Sequence, residues 1–185
     1  AGETDGLPYF TMPYVAGESL RRRTEGGKPM PVVNAVAVLR DVGRALAYAH
    51  EHGVVHRDIK PDNVLIAGGS AAVTDFGIAK ALSSSRTFGG ENLTRVGNSL
   101  GTPAYMAPEQ VAGDPNVDHR ADIYSLGCVA YEMLTGAAPF AGKSPQQTLA
   151  AHVMEKPAPL DERRPGLPPS LVAAVNRCME KEPAN

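Results

Sequence analysis

The stretch His56-Arg57-Asp58-Ile59-Lys60-Pro61-Asp62-Asn63 lies between a long amphipathic run and a short apolar segment, Val64-Leu65-Ile66. Twelve residues past Asn63 comes Asp75-Phe76-Gly77, and farther on Ala107-Pro108-Glu109. Each tripeptide alone is a weak signal, and the first stretch alone could be a polar turn joining a helix to a strand. Together and in this order they are a strong one, because ordered multi-part matches seldom arise by accident.

Before the central stretch, apolar residues recur at helical spacing from Pro31 to His52: Val36, Leu39, Val42 or Gly43, Leu46 and Ala49. Pro31 at the start and Gly53 at the end are ordinary stop signals for such a helix. His50 and His52 read as surface or cap residues, since no second ligand stands at metal-binding spacing. After the stretch, Gly68-Gly69-Ser70 turns the chain, and Ala72-Val73-Thr74 returns beside Val64-Leu65-Ile66 as the second strand of a hairpin.

Residues 78–100 are rich in serine, threonine and glycine and lack periodicity, so they read as a loop. Ala121 to Thr135 is apolar on most sides, which predicts a buried central helix ended by Gly136. Ser144 to Val153 predicts a surface helix with His152 in solvent. Residues 157–169, with five prolines, predict a loop, and Ser170 to Glu180 a last helix. Nearer the start, residues 7–15 read as a short strand running into an extended linker, and Gly17-Glu18-Ser19-Leu20 opens a short helix broken at Gly26-Gly27.

The chain has 185 residues, 43% hydrophobic and 21% charged, enough for one domain with a core. A formal net charge of −2 gives no sign of affinity for nucleic acid or for an anionic surface. Arg21-Arg22-Arg23 reads as the solvated end of the short helix. Cys128 and Cys178 show no metal-ligand or disulfide-framework spacing and read as reduced, buried thiols. No apolar run is long enough for a membrane-spanning helix, and no signal peptide opens the chain.

His56-Arg57-Asp58 with Lys60 and Asn63, Asp75-Phe76-Gly77, Gly101-Thr102-Pro103 and Ala107-Pro108-Glu109 together make this sequence similar to the eukaryotic-like serine/threonine protein kinases of bacteria. The resemblance covers nearly the whole chain but only part of a kinase. It implies an α+β, protein kinase-like fold, mainly the α-helical C-terminal lobe with the hinge and the last N-lobe strand. Residues 1–20 would be the end of the N-lobe and the hinge, and residues 21–185 the C-lobe of one partial domain. It implies cytoplasmic transfer of the ATP γ-phosphate to Ser/Thr hydroxyls of proteins, with ATP and Mg²⁺ as cofactors, no nucleic acid and no membrane segment in this stretch. A membrane anchor of the parent would lie outside these residues.

By the same resemblance Asp58 is the base that accepts the hydroxyl proton, and Lys60 offsets charge gathering on the phosphoryl oxygens. Asn63 and Asp75 are the Mg²⁺ ligands, oxygen donors of the kind a hard cation prefers. Arg57 would pair with an activating phosphate in the loop, with Thr94 the leading acceptor, and Thr102 belongs to the substrate-docking stretch. Met12 would be the gatekeeper, Pro13 and Val15 the hinge backbone that bonds adenine, and Leu65 the floor beneath it. Proline at position 13, where glutamate is frequent in the family, removes an N–H that adenine recognition does not use. His56 would pack on Phe76 rather than act as a base, and Asp122 would anchor the catalytic-loop backbone.

A complete member carries a Gly-rich loop, a strand lysine and a helix glutamate ahead of the hinge. Here residues 1–6 hold only Gly2 and Gly6, and the first lysine is Lys28. Members also carry, beyond the equivalent of Asn185, an arginine that pairs with Glu109. The resemblance therefore implies a fragment that is inactive by itself. Small-molecule phosphotransferases of related fold lack Arg57 with Lys60 and the docking stretch. The alternative is a pseudokinase or non-catalytic interaction module of kinase fold.

Overall fold

The computed structural model describes residues 2–4, 7–9, 11, 14–76 and 102–184. The chain starts with an antiparallel pair, β1 (Gly2–Thr4) and β2 (Leu7–Tyr9), with Gly2 opposite Tyr9. Next come β3 (Glu18–Ser19), α1 (Leu20–Thr24) and the long α2 (Val32–Glu51). A 3₁₀ turn, Pro61–Asn63, leads into β4 (Val64–Ala67) and β5 (Ser70–Val73). A second 3₁₀ turn, Pro103–Tyr105, precedes α3 (Pro108–Val111), α4 (Arg120–Thr135), α5 (Pro145–Met154), α6 (Leu160–Arg163) and α7 (Pro169–Cys178).

The centre is α4. Leu134 and Cys128 have no exposed surface, and Val129, Ala130, Tyr131 and Met133 have almost none, so this helix is apolar on nearly every side as its sequence requires. Gly136 ends it in the left-handed region (φ 85°), where its amide bonds the Glu132 carbonyl. A Cβ there would stand 2.2 Å from the Gly27 carbonyl oxygen, so close backbone approach fixes glycine as firmly as the dihedral does. The Arg164 guanidinium donates to the carbonyls of Leu134 (3.0 Å) and Met30 (2.7 Å), satisfying an acceptor that the helix end leaves open.

Helix α2 buries Ala35, Val38, Val42, Leu46 and Ala49, a stripe with steps of three and four. Val36, expected on that stripe, is exposed, and Leu39 is half-buried. The β4–β5 hairpin packs on this helix, with two positive-φ glycines, Gly68 and Gly69, in the turn that joins the strands. Asp41 on α2 accepts the Ala71 amide at 3.1 Å, and that bond holds its carboxyl below the ordinary range.

Several expectations are corrected. Glu18–Ser19 is not the start of a helix: it pairs with Ile66 and Leu65, making β3 the outer strand of a three-stranded sheet. Residues 160–163 form a helical turn inside the proline-rich segment, pinned by fully buried Leu160. His152 is not in solvent. It shares the inward face of α5 with Thr148 and Ala151, lies 2.9 Å from the Tyr124 hydroxyl, and meets the Phe140 ring edge-on. Burial drives its pKa down to about 4, so the ring is neutral at physiological pH. Both cysteines are free; Cys128 is buried, which pushes its thiol well above the ordinary range, and Cys178 is partly buried. Among the described residues no helix is long and apolar enough to cross a membrane.

Candidate active site

From Asp58 to Lys60 burial alternates: Ile59 is 1% exposed, while Asp58 and Lys60 are half-buried. Burying an isoleucine side chain is worth about 1.5–3 kcal/mol, so Ile59 anchors the turn. An extended backbone places residues two apart on one side. Lys60 is extended (φ −157°, ψ 164°), and its Nζ lies 2.7 Å from Asp58 Oδ2. The Asn63 amide closes the turn from behind, donating to the Asp58 carbonyl (2.8 Å) and to Asp58 Oδ2 (3.1 Å). With both bonds made by Nδ2, the Asn63 side-chain oxygen is left as an acceptor.

The hairpin carries Asp75 to the same turn. Thr74 donates its amide to the Asn63 carbonyl at 2.9 Å, directly before Asp75. The Asp75 carboxylate is exposed, and its backbone is left-handed (φ 63°). Among the described residues Arg57 is the other non-glycine position of positive φ, at 68°. Such backbones cost roughly 1–3 kcal/mol each and persist where their surroundings over-determine them. Here the surroundings are visible. Asp122, at the first turn of α4 and with no exposed surface, accepts the amides of His56 (2.8 Å) and Arg57 (2.6 Å). Gln110 holds the Arg57 carbonyl at 2.8 Å from the other side.

The His56 ring has the structural place expected of it. Its Nδ1 accepts the Asp58 amide (3.2 Å), so the proton sits on Nε2, which donates to the Thr74 carbonyl (2.8 Å). The ring packs tilted against that of Phe76, with centroids 4.8 Å apart. Both ring nitrogens are thus committed, and this histidine ties the turn at residues 56–63 to the strand that delivers Asp75.

The remaining predicted residues are spread around this centre. Thr102 is exposed and precedes the turn Pro103–Tyr105. Arg57 spends one guanidinium N–H on the Val117 carbonyl (3.1 Å). Leu65 is half-buried on β4 opposite Ser19, and Val15 is exposed. Met12, Pro13 and Thr94 lie outside the described residues. Glu109 is half-buried, and burial holds its carboxyl above the ordinary range.

Two residues escaped the sequence reading. His50 is not a surface residue: its Nε2 lies 2.8 Å from Asp122 Oδ2, and its side chain is 12% exposed. Arg21 is not solvated, for its guanidinium reaches Glu132, Asp62 and Tyr105. His50 stands one position past buried Ala49, so helical phase was a usable signal; Arg21 offered none, because its partners lie 41 to 111 residues away.

Among the described residues no three His, Cys, Asp or Glu side chains gather as a metal site. One carboxylate (Asp75) and one amide oxygen (Asn63) do suit a Mg²⁺ ion that takes its other ligands from phosphates and water. Asn63, whose nitrogen is already spent on Asp58, meets that requirement.

A family model described as a protein kinase domain matches residues 3–185. The serine/threonine-protein kinase PknB of Mycobacterium leprae is 42% identical over 180 residues, 97% of this chain and 28% of that protein. PknB of Mycobacterium tuberculosis is 43% identical over the same length. The serine/threonine-protein kinase PknD of Mycobacterium tuberculosis is 42% identical over 185 residues, 99% of this chain and 27% of that protein. The chain thus spans little more than a quarter of the length of these curated relatives.

Proposed function

As a member of the protein kinase family, this chain, we propose, is the phosphoryl-transfer part of a serine/threonine kinase that moves the γ-phosphate of ATP to protein hydroxyls. The observation that carries the reading is the Asp58–Lys60–Asn63 cluster beside Asp75. Asp58 Oδ2 is occupied by Lys60 and Asn63, so the other carboxylate oxygen is the one that takes the proton from the acceptor hydroxyl. The Lys60 ammonium stands beside that carboxylate, where it faces negative charge gathering during transfer. Asn63 and Asp75 would hold Mg²⁺, whose contribution when bound is to bridge phosphates and neutralise their charge. Adenine would lie on Leu65, with the hinge around Met12, Pro13 and Val15 at its edge. Lys60 and Thr102 are the residue types of the serine/threonine rather than the tyrosine class.

Full-length gene product incubated with labelled ATP, Mg²⁺ and a generic protein substrate should yield phosphoserine or phosphothreonine. The 185-residue polypeptide assayed by itself should not, because residues 1–16 supply no Gly-rich loop and no lysine for the α- and β-phosphates. Absence of transfer by the full-length protein would move the reading to a non-catalytic interaction module.

Regulation follows from Arg57. Among the described residues one of its five N–H donors is taken, by Val117, and a guanidinium suits a phosphate, which brings about −1.5 to −2 charges and three acceptor oxygens. We assign Thr94 as the acceptor, ahead of Thr87 and Ser99. Thr94→Ala and Arg57→Ala should each lower activity of the full-length protein strongly, and mass spectrometry of active enzyme should find phosphate at Thr94. Phosphate elsewhere in residues 83–99 would reassign the site; an unmodified segment in fully active enzyme would end the proposal.

A further inference from the structure

The Arg21-Arg22-Arg23 run has no part in the chemistry above, yet its three side chains do different things. Arg22 is exposed, and Arg23 makes a surface pair with Glu18 at 2.8 Å. Arg21 turns inward. Its guanidinium donates to Glu132 Oε1 (2.8 Å), to the Tyr105 hydroxyl (2.7 Å) and twice to Asp62 Oδ2 (3.2 and 3.3 Å), with its Cζ 5.6 Å from the centre of the Tyr105 ring. The Tyr105 hydroxyl in turn donates to the second Glu132 oxygen.

These four residues come from four segments. Arg21 is on α1, Asp62 in the turn between Lys60 and Asn63, Tyr105 in the turn just after Thr102, and Glu132 on the central helix α4. Glu132 is 7% exposed, so without Arg21 it would be a buried carboxylate facing one hydroxyl. We propose that Arg21 is a positioning residue that locks the substrate-docking segment 102–109 to the catalytic turn 56–63, so that its loss is felt by the protein substrate and not by the nucleotide. Only a planar fork with five donors can serve three acceptors on three segments at once; an ammonium is a single point.

The electrostatics make this a permanent clamp rather than a switch. Burial opposes the Arg21 charge, but the bonds to Tyr105 and Asp62 and the Glu132 carboxylate outweigh it. Burial and the neighbouring Glu132 carboxylate hold the Tyr105 hydroxyl protonated. Neither the Arg21 guanidinium nor the Tyr105 hydroxyl changes charge near neutral pH.

Two measurements test the proposal. In the 185-residue chain, amide hydrogen exchange is followed at Tyr105 and Met106, which bond Thr102 and Pro103, and at Asn63, which bonds Lys60. Arg21→Ala should speed exchange at both ends by about tenfold or more, the factor a lost charged hydrogen bond is worth, and Arg22→Ala should not. Tyr105→Phe, which removes a single hydroxyl, should speed both ends to a lesser extent, and guards against misfolding of the alanine variant. Acceleration confined to residues 19–25 would overturn the clamp.

The second measurement rests on the kinase reading. In the full-length protein, Arg21→Ala and Arg21→Lys should raise the peptide KM about tenfold with the ATP KM unchanged, lysine giving no rescue. Equal rises in both KM values, or none, would overturn the proposal. A full-length protein with no transfer activity at all would instead refute the kinase reading, and the exchange result would then decide the clamp.

Discussion

If the proposed function holds, Asp58→Ala or Asp75→Ala in the full-length protein should lower phosphoryl transfer by roughly a thousandfold or more, with the fold preserved. The size of the loss follows from how few groups do the work. Transfer of a phosphoryl group relies on positioning and charge, and each of these carboxylates has a task that no neighbour duplicates. The only described side chains bonded to Asp58 are Lys60 and Asn63, a cation and an amide donor, neither able to take a proton. Asp75 is one of two oxygen donors at the turn, and Asn63 alone is a weak ligand. The fold survives because both carboxylates reach solvent, so alanine leaves no buried donor stranded. The two variants should also part company. Asp75→Ala should weaken Mg²⁺-dependent nucleotide binding, whereas Asp58→Ala should bind nucleotide normally and fail at the chemical step. Near-normal turnover in either variant would refute that residue's assigned role; matching nucleotide affinities would refute the division of labour.

The clustering of the proposed site residues was readable in the sequence because the cluster is local. Asp58, Lys60 and Asn63 lie within six residues, and alternation about buried Ile59 is enough to place the first two side by side. Asp75 arrives through a hairpin whose glycine turn is written in the chain. The long helices were readable for a similar reason, since apolar periodicity and terminal glycines are properties of short windows. What escaped depends on distant partners. Arg21 looked like a surface charge because nothing within α1 shows that Asp62, Tyr105 and Glu132 converge on it. His152 looked solvated because a polar ring on a helix gives no sign that Tyr124 and Phe140 will enclose it. Glu18 and Ser19 looked helical because two residues before a helix carry no period of their own, and only pairing with Leu65 and Ile66 makes them a strand.

Asp122 supports the second large effect, one of stability and of catalysis at once. Its carboxylate is wholly buried and receives three donors: the amides of His56 and Arg57 and the ring nitrogen of His50. Asp122→Ala strands those donors and removes what holds Arg57 in its left-handed backbone. Breaking such a buried polar cluster costs about 3–5 kcal/mol, a large part of the stability of a domain this size. Asp122→Asn is the sharper test, because it preserves shape. An amide offers one oxygen and one NH₂ group, so whichever way it is placed, a donor must point at a donor. If the NH₂ faces the Arg57 amide, the strained backbone beside Asp58 loses its anchor. If it faces His50 and His56, the tie between α2 and the catalytic turn is lost instead. Both arrangements displace Asp58, the proposed base, so turnover of the full-length protein should fall about a hundredfold or more, with an unfolding midpoint clearly below that of the parent. An asparagine variant with parental turnover and parental midpoint in denaturant would mean that the catalytic turn is held by Ile59 and Gln110 alone.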